Sequence, residues 1–172
     1  MAEQGSDADA PALRLDSPDP RIDAGLALLE LAPRLMRLEN LVLGELPTPL
    51  TFRQYRILER VSQGHTTITA LGRLATITLP AVSESVEVLV RKDLVERTPS
   101  TKDRRESNLT VTEEGKAALV AARTALDELA AALITGVSAR RHPALARDAR
   151  AVGARVTEEL HAFRDRQAEQ GG

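Results

Sequence analysis

The chain has 172 residues, which suits one domain or one domain with helical extensions. Its formal net charge is -2, so a nucleic-acid partner would have to be recognised from a local cluster of charge. The chain contains no cysteine, which excludes disulfides, thiolate metal sites, cysteine nucleophiles and thiol-based redox sensing. Its apolar runs fall well short of the ~20 residues of a membrane span, and residues 1–19 lack the apolar core of a signal peptide. We therefore expect a soluble cytoplasmic protein with no membrane partner.

Aromatic residues make up only 2% of the chain, so the core must be built from Leu, Val, Ile and Ala, which favours helices. Residues 1–20 are rich in Ala, Asp, Pro and Gly and are predicted to form a flexible arm. Residues 21–46 carry apolar side chains at helical spacing from Ile22 onward, with Pro33 expected to bend or interrupt the helix. The Leu-Pro-Thr-Pro sequence at 46–49 should end it.

A second helix is predicted from Thr51, its N-cap, to about Ser62. Residues 67–69 (Thr-Ile-Thr) are prone to form a short strand, and Leu71 and Leu74 mark a short third helix. A fourth helix follows. Thr78 is its expected cap, Pro80 is tolerated in its first turn, and its buried stripe should be Val82, Val86 and Leu89.

Two stretches with a period of two, 94–98 and 107–111, predict a β-hairpin with a protruding charged loop at 99–106. A further helix should run to about Ile134. After a break at Gly136 and Pro143, a last helix carries a packing seam. The seam consists of Leu145, Ala149, Val152, Val156, Leu160 and Phe163.

These elements predict a mainly α fold with a small β-hairpin, in which a winged helix-turn-helix is flanked by N- and C-terminal helices that dimerise. The expected organisation is a flexible arm (1–20), a dimerisation helix (21–46), a DNA-binding domain (47–115), dimerisation helices (116–166) and a flexible tail (167–172).

The segment 93–115, Asp-Leu-Val-Glu-Arg-Thr-Pro-Ser-Thr-Lys-Asp-Arg-Arg-Glu-Ser-Asn-Leu-Thr-Val-Thr-Glu-Glu-Gly, resembles the wing of the MarR family of transcriptional regulators. Segments 50–58, 67–74 and 82–89 resemble that family's second helix, its strand and third helix, and its recognition helix. The resemblance implies a regulator that binds double-stranded DNA. The apolar faces of the flanking helices predict a homodimer, and the chain is not expected to be an enzyme or to need a cofactor. The resemblance also implies that a small aromatic or phenolic effector regulates DNA binding.

Two residues depart from the family pattern. Asp93 stands where the family usually has Gly, but Asp tolerates the left-handed conformation better than most residues. Glu84 stands near a position where the family favours a basic residue, so contacts there cannot be transferred from the resemblance.

Positive charge is concentrated at the predicted wing, where the window from Arg91 to Arg105 holds six basic and three acidic residues. The resemblance implies that one wing arginine enters the minor groove, for which we favour Arg104, while Asp103 pairs with an arginine. On the recognition helix, Glu84 could accept a hydrogen bond from a cytosine amino group or simply pair with a nearby arginine. The predicted DNA contacts are Thr78, Pro80, Ala81, Ser83, Glu84, Glu87, Val88, Arg91, Lys102, Asp103, Arg104 and Arg105.

The effector site is expected where the dimer helices meet the DNA-binding lobe. Arg53 and Arg56 could bind a carboxylate there, although ordinary surface salt bridges are the alternative role for both. The three histidines share no metal-ligand spacing, and no catalytic constellation is evident. Two alternatives compete with this interpretation. The clustered basic hairpin argues against a winged-helix module that contacts another protein, and the missing catalytic constellation argues against an enzyme that uses a helical cavity.

Overall fold

This computed structural model describes residues 17–74, 78–99 and 107–170. By its internal contacts the chain divides into two compact units, one ending at Leu38 and one beginning at Glu39. Over the described residues the fold is mainly α with one antiparallel hairpin, as the sequence predicts. The elements are α1 (Pro20–Gly44), α2 (Phe52–Ser62), α3 (Ile68–Leu74), α4 (Leu79–Arg91), β1 (Val95–Pro99), β2 (Ser107–Val111), α5 (Glu113–Leu133) and α6 (His142–Gln170), with a 3-10 turn (Ala139–Arg141) before α6.

Helix α1 begins where Asp19 caps it. The Asp19 carboxylate accepts a hydrogen bond from the amide of Arg21 at 2.8 Å, and Pro20 occupies the first helical position, where its missing amide costs nothing. The helix is not interrupted at Pro33, which lies inside a continuous run of 25 residues. A single proline removes one hydrogen bond, and the remaining turns of a long helix can absorb that loss.

The connection from α1 to α2 is tied to both helices. The amide of Leu50 donates to the carbonyl of Leu43 at 3.0 Å, and the amide of Phe52 donates to Oδ1 of Asn40 at 3.0 Å. The side chain of Lys92 donates to the carbonyl of Pro49 at 2.6 Å, so this connection is also bonded to the residue that follows α4. Hydrogen bonds therefore hold the two-proline segment against α1 and the end of α4.

Helix α2 begins with the capping residue that the sequence predicts. The hydroxyl of Thr51 accepts from the amide of Gln54 at 3.2 Å, and the side chain of Gln54 accepts from the amide of Thr51 at 3.1 Å. This reciprocal pair satisfies two of the amides that a helix start leaves without partners.

The strand predicted at 67–69 is wrong, because Ile68 already begins α3. The hydroxyl of Thr67 accepts from the amide of Ala70 at 3.1 Å, which favours a helical start over an extended strand. Pairing with the hairpin occurs one residue earlier, where the carbonyl of Thr66 accepts from the amide of Leu109 at 2.7 Å.

Helix α4 buries the stripe that its spacing predicts, since Val82, Val86 and Leu89 are all fully buried. Thr78 has the extended backbone of an N-cap, but its side chain makes no capping hydrogen bond. Pro80, in the first turn, has no amide to offer the cap. Thr78 therefore occupies the predicted N-cap position, but it does not make the capping hydrogen bond expected of a threonine there.

The hairpin pairs β1 and β2 in a register that sets Val95 against Val111 and Arg97 against Leu109. Leu94, Val95 and Leu109 are buried, so the base of the hairpin belongs to the core. That core is almost entirely aliphatic, as the composition predicts, although Leu74 is 43% exposed and lies outside it. Its members are Leu43, Leu50, Tyr55, Ile57, Leu58, Val61, Leu71, Val82, Val86, Leu89, Leu94, Val95, Leu109, Ala118, Leu119 and Ala122.

Helix α6 follows a turn at Gly136, whose φ of 88° lies in the left-handed region. The helix continues to Gln170, beyond the point where the sequence predicts a frayed tail. The apolar seam expected on this helix lies at the surface, with Val156 51% and Phe163 54% exposed. None of the helices within the described ranges has the length and apolar character needed to cross a membrane.

Candidate nucleic-acid interface

The outer face of α4 is formed by the residues that do not belong to its buried stripe. Ala81, Ser83 and Val88 are half-buried at the edges of this face. Its exposed members include Thr78, Pro80, Glu84, Glu87 and Arg91. A helix with one buried face and one open polar face can enter the major groove while its other side rests on the core.

A tight turn after α4 leads directly into the wing. Asp93 has a φ of 57° and is the single non-glycine residue with positive φ among those described. The amide of Leu94 then donates to the carbonyl of Leu89 at 2.9 Å. An acidic residue therefore takes the left-handed conformation at this turn, as expected.

The wing returns to the core through Thr112, which caps α5. Its hydroxyl accepts from the amide of Gly115 at 2.9 Å and donates to the carbonyl of Asp93 at 2.6 Å. A Cβ on Gly115 would lie 2.1 Å from the carbonyl oxygen of Leu94, so only glycine fits at this position. The Thr-Glu-Glu-Gly sequence therefore fixes the base of the wing against the start of α5.

The recognition helix and the wing also share an ion pair. Nη2 of Arg97, on β1, donates to Oε1 of Glu87, on α4, at 2.8 Å. Sequence reasoning assigned Glu87 to the outer face of the helix without identifying this partner. The two residues are ten positions apart on different elements, and no periodicity within one element connects them.

The remaining predicted wing contacts are Lys102, Asp103, Arg104 and Arg105, and they lie outside the described residues. The described strands end at Pro99 and Ser107, which pair at the last position of the register.

A buried carboxylate links α2 to α5. Glu59 is 8% exposed and accepts hydrogen bonds from the hydroxyl of Tyr55 at 3.1 Å, from Arg56 at 2.6 Å and from Arg123 at 3.0 Å. Arg56 therefore makes the salt bridge that the sequence analysis held as the alternative to an effector contact, while Arg53 is exposed. Sequence reasoning missed this group, although the i, i+4 spacing of Tyr55 and Glu59 was visible.

The surroundings of this carboxylate change the proton affinity of its neighbours. Burial raises the pKa of the Tyr55 hydroxyl, and the negative charge of Glu59 raises it further. The hydrogen bond to Glu59 raises the pKa of Arg123. Burial also raises the pKa of Glu39, near the end of α1, against the opposing effect of the Arg56 charge.

No group of three or more possible metal ligands occurs among the residues that the structure describes. The ring of His142, the first residue of α6, is hydrogen-bonded to the carbonyl of Val137 at 3.0 Å. A structural role therefore accounts for this histidine.

An exposed helix face, a β-hairpin that follows it after one tight turn and helices on both sides define a winged helix-turn-helix DNA-binding protein. Residues 48–106 match the model of the MarR family. The matched segment contains α2, α3, α4 and β1, so this part of the chain is similar to that family of transcriptional regulators.

Solved structures share the fold. The chain has 23% identity and a TM-score of 0.66 to wild-type MarR from E. coli in its apo form, covering 74% of this chain and 94% of that one. BldR from Sulfolobus solfataricus has 24% identity and a TM-score of 0.65, with 78% and 98% covered. FabT from Streptococcus pneumoniae, solved in complex with DNA, has 16% identity and a TM-score of 0.68, with 80% and 98% covered. No curated protein sequence matches the chain.

Proposed function

We propose that this regulator is a homodimeric repressor that binds a palindromic operator and releases it when a small aromatic or phenolic effector binds. The observation that carries the proposal is the exposed outer face of α4 beside a hairpin whose base is locked to the core. The solved complex of FabT with DNA, which has the same fold, supports the assignment of this face to DNA.

In the proposed complex the N-terminal half of α4 enters the major groove. Glu84 accepts a hydrogen bond from a cytosine amino group, Val88 touches a thymine methyl group and Arg91 contacts phosphate. The wing arginines reach the neighbouring minor groove, where the negative potential is strongest, with Arg104 inserted.

The homodimer is proposed from the apolar row on α6. A row of aliphatic and aromatic side chains this exposed is unusual for a lone helix, and a second copy of the same row would cover it. The row comprises Leu145, Val152, Val156, Leu160 and Phe163. Two-fold symmetry then implies two half-sites about one DNA turn, ~10 bp, apart.

The effector is proposed to act near Arg53 and Arg56, one turn apart on α2. Because Arg56 already donates to Glu59 at 2.6 Å, an anionic effector would have to compete with a charge-assisted hydrogen bond there. Arg53 is exposed and is the more accessible of the two cations.

The central test selects binding sites from random duplex DNA with the native protein and with Glu84→Ala. The native protein should enrich a two-fold symmetric motif with a cytosine in each half-site. The variant should lose that preference, at a cost of about 1–3 kcal/mol at the base concerned. An identical motif from both proteins would exclude base reading by Glu84, and no enriched sequence with the native protein would overturn the operator proposal.

The wing is tested by replacing Arg104 and Arg105 with Ala. The slope of log affinity against log salt concentration should fall by about one for each phosphate interaction that the substitutions remove. Replacing Arg140 and Arg141, which are exposed in the 3-10 turn before α6, removes the same charge and should leave the slope unchanged. Equal effects from both pairs would show that only net charge matters.

A further inference from the structure

The ion pair between Arg97 and Glu87 joins the two parts of the molecule that are proposed to meet DNA. The nitrogen and oxygen lie 2.8 Å apart, and the Arg97 side chain is 33% exposed although it stands on a surface strand. The Glu87 side chain is 49% exposed, so the pair is open to solvent on one side and held against the protein on the other.

A carboxylate at this position is unfavourable for DNA binding unless something offsets it. The outer face of α4 carries two acidic residues, Glu84 and Glu87, and both would face the negative charge of the phosphates. Of these two, Glu87 has the arginine of the adjacent strand within hydrogen-bonding distance. Arg97 therefore cancels one of the two charges that oppose association with DNA.

The alternative role for Arg97 is that of an ordinary wing arginine that contacts phosphate directly. The geometry argues against it, because the guanidinium is directed at α4 and its nitrogen is engaged by Glu87. Glu87 engages one of the nitrogens of the guanidinium, so a phosphate contact through the others would divide its positive charge between two anions and weaken its neutralisation of the carboxylate.

We propose that Arg97 is a positioning residue for DNA recognition: it neutralises Glu87 and holds the wing in register with the recognition helix. This inference rests on the proposed use of α4 and the wing as the DNA-binding surface. In this proposal Glu87 binds Arg97 and so connects α4 to the wing. Glu84 is then the acidic residue of α4 that can contact a base.

The two roles predict different patterns in a double-mutant cycle. If Arg97 neutralises Glu87, Arg97→Ala should weaken operator binding about tenfold in the native background, because it exposes an unpaired carboxylate to the phosphates. In the Glu87→Gln background the same change should cost less than about twofold, because there is no carboxylate left to neutralise. If Arg97 contacts phosphate, it should cost the same in both backgrounds.

Glu96 provides the matched control. It is exposed on the same strand, next to Arg97, and its side chain points to the opposite face of the hairpin. Glu96→Gln removes the same charge from β1, yet it should not rescue the weakened binding of Arg97→Ala. Rescue by Glu96→Gln would mean that only net charge matters and would overturn the proposal.

Affinity is measured for all variants by fluorescence anisotropy on the operator selected with the native protein, at several salt concentrations. Rescue by Glu87→Gln, with little change in salt slope for Arg97→Ala in that background, supports the positioning role. An equal cost in both backgrounds, with a slope lower by about one, overturns it and makes Arg97 a phosphate contact. If the native protein binds no duplex, both the proposed function and this inference are wrong. If the native protein binds and the cycle shows no coupling, only the inference fails.

Discussion

The hydroxyl of Thr112 donates to the carbonyl of Asp93 at 2.6 Å, and so joins the start of α5 to the turn that ends the recognition helix. The same hydroxyl accepts from the amide of Gly115, so one side chain serves both as the cap of α5 and as the tie at the base of the wing. Changes at this junction should therefore affect the whole DNA-binding lobe.

The first prediction concerns this hydroxyl. Thr112→Ala removes a helix cap and one hydrogen bond, and should lower the free energy of unfolding by about 1–2 kcal/mol. Thr112→Ser keeps the hydroxyl and should cost much less. Urea unfolding followed by circular dichroism measures both, and an equal loss for the two variants would contradict the proposed role of the hydroxyl.

The second prediction concerns Gly115. A methyl group there would lie 2.1 Å from the carbonyl oxygen of Leu94 and 2.8 Å from a methyl carbon of Val111. Because a backbone atom cannot move aside cheaply, Gly115→Ala should cost at least about 2–3 kcal/mol. Gly153, inside α6, has open space around the same position, and Gly153→Ala should instead stabilise the helix by up to about 1 kcal/mol. Similar unfolding midpoints for the two variants would contradict this packing argument.

The third prediction concerns Tyr55, the one tyrosine of the chain. Its raised pKa should appear as tyrosinate absorbance that develops above the usual pH range, and the midpoint should fall in Glu59→Gln because the neighbouring negative charge is gone. Because the pKa is raised in the folded state, this contribution to stability is complete below the unfolded pKa and is lost as pH rises through the folded value. A native midpoint equal to that in denaturant would refute the prediction.

The fourth prediction concerns the proposed dimer. Replacing Val156 and Leu160 with Asp places charges in the apolar row of α6 and should shift the protein from dimer to monomer in light scattering at micromolar concentration. Thr157 and His161 are exposed, have the same spacing and lie one position further along the helix, outside this row. Aspartate at those two positions should leave the dimer intact, and a native protein that is monomeric would contradict the proposal.

Helical spacing and local chemistry predicted much of the DNA-binding lobe. The spacing of Val82, Val86 and Leu89 identified the buried stripe of α4, because residues three or four positions apart lie on the same face of a helix. Thr51 was recognisable as a cap, and Asp93 as a residue able to take positive φ, because both properties belong to a single residue and its near neighbours.

Some of the features that the sequence did not reveal depend on contacts between distant elements. Arg123 reaches Glu59 across 64 positions, and nothing in either local pattern indicates the other. The Thr-Ile-Thr stretch at 67–69 has strand propensity, but the hydroxyl of Thr67 accepts from the amide of Ala70 instead, and this local bond favours a helical start.

The segment between α1 and α2 has the composition of a hinge, with two prolines in four residues. Its hydrogen bonds fix it in place instead. Backbone and side-chain bonds tie it to Leu43 and Asn40 at the end of α1, and Lys92 ties it to the end of the recognition helix. A rotation of the last turn of α1 would therefore strain hydrogen bonds that lead to the end of α4.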